Sequence, residues 1–188
     1  VMSSADRMRT LINDLLEFSR STKSDHSFEN KDLNVLLKNS LEALNSLIEE
    51  KDATIFYNEL PTLKVIPFQI QQLFINLIGN SLKYSKPEKN PIINIQSSII
   101  DSEFIQINQK LTETKYYQFI FEDNGIGFEN KYNTKIFDLF NRLHTREEYE
   151  GTGIGLAICK KIVENHHGFI TAKGEIGKGS TFTIYLPY

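Results

Sequence analysis

The sequence predicts an α+β sandwich, a mixed sheet covered on one face by helices. Two observations carry that prediction. Helical segments, with apolar residues recurring three and four apart, are mixed along the chain with short strand-like runs. The last two strand-like runs, "FITAKG" and "STFTIYLP", follow one another directly and read as an antiparallel hairpin. A chain of 188 residues, 40% hydrophobic and 24% charged, has the composition of a soluble globular protein. At that length folding removes roughly 70% of the unfolded surface from water, enough for the core of one domain beside a fragment of another.

Residues 1–22 carry Ala5, Met8, Ile12 and Leu15 at heptad-like spacing, with Leu11 and Phe18 beside them. That stripe suits a domain-packing helix or one arm of a helical bundle or dimer. We expect the second, because polar "STKSDHSFEN" follows and reads as a linker, centred on residues 23–27. The opening "VMSSADRM" has no signal-peptide pattern, and we expect the chain to be a piece of a longer one. Leu33, Leu36, Leu37, Leu41, Leu44, Leu47 and Ile48 then line one side of a single helix, "LNVLLKNSLEALNSLIEEK". "ATIFYNEL" and "LKVI" read as strands, and Pro67 opens a further helix at a position that suits proline. "IINIQSSII" and "KYYQFIFED" are strands joined by a polar connection around 101–115. A polar segment with isolated aromatics runs over 129–150, and a last helix starts near Gly153 and stops at Gly168.

Several function classes are excluded or weakened by the same numbers. A net charge of −3 leaves no basic excess to neutralise phosphates along a nucleic acid. No apolar run approaches the roughly 20 residues of a membrane span. The single cysteine, Cys159, excludes an internal disulfide, and its place in an apolar helix suits a small core residue.

The chemistry concentrates in three places. "EGTGIGLA" puts Gly151, Gly153 and Gly155 at the start of a helix, where close backbone approach and the positive helix end suit an anion. The spacing is wrong for a dinucleotide fingerprint and no strand precedes it; "GEIGKGST" likewise lacks the upstream glycine of a P-loop. Glycines that only permit a tight turn remain an alternative. "EDNGIGF" places Asp123 ahead of Gly125 and Gly127 at a strand end. Such a carboxylate can accept a hydrogen bond from an exocyclic amine, as of adenine; a plain strand-ending turn fits equally. On the Pro67 helix, Asn76 and Asn80 share a face with Lys83 and Tyr84. Asparagine is a mediocre helix former, its amide oxygen is a hard ligand suited to Mg²⁺, and Lys83 offers a point charge; a solvated polar face is the alternative.

Taken together, these segments resemble the boxes of the histidine-kinase catalytic and ATP-binding domain of the GHKL ATPase superfamily. "NLIGNSLKYS" is similar to its N box, "DNGIGF" to its first glycine box and "KIFDLFNRLH" to its F box. "GTGIGLAICKKIVENHHG" is similar to the second glycine box and "GKGSTFTIYLP" to the last. The matches run in order from about residue 28 to the end, and "RMRTLINDLLEFSR" resembles the close of the dimerisation and phosphotransfer helix.

The resemblance implies a GHKL (Bergerat) sandwich over 28–188 with an ATP lid at about 129–150. It implies that Asn80 ligates Mg²⁺ with Asn76 in support, that Lys83 reaches phosphate, and that Tyr84 lies by the nucleotide. Asp123 would read the adenine amine while Gly125 and Gly127 leave room for the base. Gly151, Thr152, Gly153 and Gly155 would wrap the phosphates, with Leu156 also at the site and Thr181 lining the adenine side. Phe137 and Phe140 would anchor the lid, and Arg142 or Lys135 would contact the γ-phosphate. Tyr149 and Glu150 would form its hinge.

The implied activity is transfer of the ATP γ-phosphoryl group to a histidine on an upstream helical domain, then to a response regulator. The implied parent is a homodimer, with this domain in the cytoplasm and membrane anchoring of the parent left open. Val65-Ile66 stands where the family has Gly-Asp, and His166-His167-Gly168 where it has His-Gly-Gly. None of His26, His144, His166 and His167 has a phosphoacceptor context, so surface or capping roles are expected for all four, with the acceptor outside this chain. Other ATPases of the superfamily (DNA gyrase B, MutL or chaperone type), an anti-sigma serine kinase and a degenerate docking module remain alternatives. Against the ATPases, Asn76 stands where their catalytic glutamate would be.

Overall fold

The computed structural model describes residues 27–105, 111–143 and 152–188, together with Ile12. Apart from Ile12, the expected helix over 1–22 lies outside the described residues, as do most of the linker and residues 144–150 of the expected lid.

Strand β1 (Glu29–Asp32) pairs antiparallel with β3 (Thr62–Val65) in a two-stranded ribbon. This strand was not expected: "FEN" reads as the tail of the linker, and only pairing with β3 makes it extended. A five-stranded mixed sheet follows the order β2-β4-β5-β7-β6, built from β2 (Thr54–Tyr57), β4 (Ile92–Asp101), β5 (Lys115–Asp123), β6 (Phe169–Glu175) and β7 (Gly179–Pro187). β2 runs parallel to β4 and every other pairing is antiparallel, including the β6–β7 hairpin.

Helices α1 (Leu33–Ala43), α3 (Pro67–Lys83) and α4 (Gly155–Asn165) carry the other half of the core. Strand alternation explains the layering, because residues two apart share a face. The register lines up Ile95, Phe121, Phe182 and Ala172 across four strands, and all four are buried. Against this row lie Leu73, Phe74, Leu77 and Ile78 of α3 and Ile158 and Ile162 of α4, with the Phe74 and Phe121 rings 5.7 Å apart.

The single helix expected over 33–51 is broken. Asp32 caps α1 through its Oδ1, which accepts the Asn34 amide at 2.8 Å. The helix then ends where Leu44 leaves the helical region at ψ 3°, and a short α2 (Asn45–Glu50) begins. One turn earlier, the buried Ser40 hydroxyl donates to the Leu36 carbonyl at 2.8 Å, a back-bond that bends helices. Leu44, Leu47 and Ile48, at and beyond the break, are partly buried against the core.

Candidate functional site

The site is assembled where β5 ends beneath α3. Asp123 is the last residue of β5, and the chain turns there because Asp123 Oδ1 accepts the Gly125 amide at 2.9 Å. The same oxygen accepts the Ser180 amide of β7 at 3.1 Å, and Oδ2 accepts the Ser81 hydroxyl of α3 at 3.2 Å. Three elements thus converge on one carboxylate. Burial pushes its pKa up from the usual aspartate range, and the three hydrogen bonds pull it only partly back.

Above the carboxylate is a narrow cavity of about 90 Å³, walled by Asn80, Tyr84, Ile126, Arg142, Leu143 and Leu156 among others. Its floor is carboxylate and its walls are mostly apolar, the arrangement that orients a flat base carrying an amine. Gly127 (φ +66°) forms part of the wall, and a Cβ there would run into the Glu175 carbonyl. The glycine is therefore required by neighbouring backbone as well as by any ligand. A wider, open cavity of about 790 Å³ adjoins it, sharing Ile126, Gly127, Phe128 and Leu143 as a common wall.

Helix α3 presents its polar face to this region. Among the described residues no hydrogen-bond partner engages the Asn80 side-chain amide, which faces the cavity. Asn76 is committed to the protein: its Nδ2 donates to the Gly155 carbonyl at 3.4 Å and its Oδ1 accepts from Gln72 at 3.2 Å. Lys83 lines the wider cavity instead of the one over Asp123; its Nζ lies 3.0 Å from the Tyr84 hydroxyl and 4.5 Å from the centre of that ring.

Residues 129–143, the described part of the segment expected to form a lid, lie on the other side. Two 3₁₀ turns, Asn130–Tyr132 and Lys135–Phe137, bring Ile136 and Phe137 into the core, each 7% exposed. Phe137 meets Phe182 edge-on at 6.4 Å. Phe140 is no anchor: it is 59% exposed, and its backbone sits at φ +62° to donate to the Gly153 carbonyl at 3.1 Å. Ile136 takes the anchoring place expected of it. Gly153 (φ +76°) lies under Asn141, whose carbonyl oxygen a Cβ would meet at 2.9 Å, so this glycine lets the loop approach the lid.

Other expected residues are placed as follows. Arg142 lines the cavity, whereas Lys135 is exposed and does not. Thr152 is half-buried on the loop, Gly155 is the first residue of α4, two residues later than the expected helix start, and Gly151 lies outside the described residues. Thr181 pairs with Glu122 and Lys173 on the opposite strand parity from Phe182; Ser180 lines the cavity in its stead. Sequence reasoning missed Ser81, Ser180 and Ile136. Strand parity with buried Phe182 was the available signal for Ser180, and adjacency to Asn80 the one for Ser81. His166 is not on the surface: it is 5% exposed, capping the end of α4 from inside the core. Among the described residues no group of three or more His, Cys, Asp or Glu is arranged to hold a metal. No helix there is long and apolar enough to cross a membrane.

Comparison with known proteins places this geometry. Residues 66–188 match the family model described as histidine kinase-, DNA gyrase B- and HSP90-like ATPase. Cyanobacterial phytochrome A of Nostoc sp. strain PCC 7120 is 38% identical over 180 residues, covering 96% of this chain and 22% of that protein. Sensor histidine kinase WalK of Bacillus subtilis is 32% identical over 189 residues, covering 97% of this chain and 29% of WalK. The chain thus spans between a fifth and a third of the length of these relatives. The structure of full-length ShkA in complex with AMPPNP superposes with a TM-score of 0.74 at 24% identity, over 98% of this chain and 36% of ShkA, and shows the same fold. The chain belongs to the histidine kinase-, DNA gyrase B- and HSP90-like ATPase family, as an ATP-binding domain of the sensor histidine kinase kind.

Proposed function

We propose that the chain is the ATP-binding kinase core of a two-component sensor histidine kinase. The observation that carries this is the Asp123 carboxylate at the floor of a narrow, largely apolar cavity, with the Asn80 amide, unpartnered among the described residues, on its wall. A carboxylate is acceptor-only, so it selects a base with an exocyclic amine donor and repels a carbonyl in the same place. Adenine carries its amine at the position where guanine, held in the same pose, carries a carbonyl, so the carboxylate favours adenine in that pose.

The phosphates then run toward the glycine loop at the start of α4, where backbone amides and the helix end favour negative charge. Arg142, on the cavity wall, is placed to meet the outer phosphates. A Mg²⁺ ion would be held by the Asn80 amide oxygen together with nucleotide phosphates, since among the described residues no group of three or more His, Cys, Asp or Glu is arranged to hold it. When bound, the ion supplies neutralisation of phosphate charge.

In the reaction a bond forms between the γ-phosphorus and a histidine ring nitrogen on a helical domain outside the described residues. The bond to the β,γ-bridging oxygen breaks, and ADP leaves. The domain's own contribution is positioning and charge, with no covalent step on its side chains. A response regulator then receives the phosphoryl group. A homodimeric parent, and a cytoplasmic place where ATP is available, complete the reading.

Isothermal titration with ATP in the presence and absence of Mg²⁺ tests it. The chain should bind ATP more tightly with Mg²⁺, and Asn80→Ala should abolish most of that difference while leaving metal-free binding within about threefold. Metal-dependent affinity unchanged in Asn80→Ala would point to a docking module that merely tolerates nucleotide.

A further inference from the structure

His166 is built into the core at the end of the molecule away from Asp123. Its Nδ1 lies 2.7 Å from the Ile162 carbonyl oxygen, which can only accept, so Nδ1 carries the ring proton. That leaves the Nε2 lone pair to accept the Ile66 amide at 3.0 Å. Ile66 precedes Pro67 at the start of α3 and has no side chain able to cap a helix. The imidazole, delivered from the end of α4, accepts that amide instead. Burial holds its pKa below the usual histidine range and keeps the ring neutral, as this pattern of donor and acceptor requires.

One residue earlier the link is repeated: Asn165 Nδ2 donates to the buried Gln69 Oε1 at 3.4 Å. At the other end of the same helix pair, Asn76 bonds to Gly155, the residue that starts α4 beside the glycine loop. The helices run antiparallel, so polar links close both ends. Their shared core, including Leu73, Ile158 and Ile162, is apolar and non-directional, and fixes spacing better than register. The Phe28 ring, in the segment leading into β1, stands edge-on to the imidazole at 5.2 Å.

We propose that His166 is a positioning residue for the nucleotide site: its two ring nitrogens lock the far end of the α3–α4 pair and hold Asn80 in register with the glycine loop. Asn80 is about 20 Å along α3 from the clamped amide, at 1.5 Å per residue. The inference rests on the nucleotide reading above.

The test uses the 188-residue chain and AMPPNP by calorimetry, with circular dichroism to establish that each variant is folded at the working temperature. His166→Phe keeps the ring volume but leaves the Ile66 amide without an acceptor, and should weaken AMPPNP binding by about fivefold or more, the low end of measured site couplings. His166→Gln, whose Oε1 can accept the Ile66 amide, should recover most of that loss. Wild-type affinity in His166→Phe, or equal losses in both variants, would overturn the proposal. Should His166→Phe fail to fold, hydrogen exchange on the wild type decides. Coupling is reciprocal, so AMPPNP should slow exchange at Ile66 more than at β4 amides of equal starting protection. Equal slowing would overturn it. A wild-type chain that binds no AMPPNP contradicts the nucleotide reading itself, a result separable from failure of the variants.

Discussion

The Asp123 carboxylate accepts hydrogen bonds from Gly125, Ser180 and Ser81, and is still held above the usual aspartate pKa because burial outweighs the donors. The consequence for stability has a definite sign. A folded-state pKa above the unfolded value means that the native state binds more protons across that window. Stability is therefore greatest below the unfolded value of 3.8 and falls as pH rises through the folded one. Above the folded pKa the ionised carboxylate is a cost to the fold. Asp123→Asn removes it while keeping Oδ1 for the two amides, and the Ser81 hydroxyl, which lies 3.2 Å from the Leu77 carbonyl, can donate there and accept from the new amide. Thermal denaturation at pH 7 should thus show a transition temperature equal to or above wild type, with the gap closing as pH falls toward 4. A lowered transition temperature at pH 7 would mean that the charge stabilises the fold. A buried carboxylate that costs stability once ionised is one retained for function.

At the scale of elements, the described residues of the expected lid divide into some tied to the core and some that are not. Phe137 fills a place against Phe182, and Phe137→Ala should destabilise the chain by about 3 kcal/mol, as large-to-small core changes do. Phe140→Ala should change stability by no more than about 0.5 kcal/mol, because the ring is exposed. Urea denaturation of the two variants checks this, and similar losses in both would restore Phe140 as an anchor. The same contrast shows what the sequence could and could not tell. Both phenylalanines sit in one short aromatic motif, and nothing in their spacing says which turns inward; the 3₁₀ turn over Lys135–Phe137 decides it. The break at Leu44 was hidden for the same reason. Its helical stripe continues unbroken in sequence, while the buried Ser40 hydroxyl back-bonds to Leu36 and the helix ends at Leu44. Strand β1 was hidden because its residues are polar and its extension comes wholly from pairing with β3.

At the scale of the whole molecule, local patterns with strong periodicity were legible: α3 with its leading proline, α4, and strands β4 to β7 all lie within a residue or two of where the apolar pattern puts them. The sequence singles out Asp123 and Asn80, and both line the same cavity over the end of β5. The site was not legible where two neighbours compete for one place, as Ser180 and Thr181 do, since strand parity is fixed only once the pairing register is known. Nor was the role of His166 legible, because its partner Ile66 is 100 residues away in sequence and contributes only a backbone amide. All these pieces converge on one claim, that the cavity over Asp123 is an adenine site. Titration of the wild type and Asp123→Asn with Mg-ATP and Mg-GTP tests it most directly. Wild type should bind ATP at least about tenfold more tightly than GTP, and Asp123→Asn should lose about tenfold or more for ATP, the effect of leaving one buried polar group mismatched, about 1–3 kcal/mol. A wild type that binds GTP as tightly as ATP, or an Asp123→Asn variant that binds ATP undiminished, would contradict it.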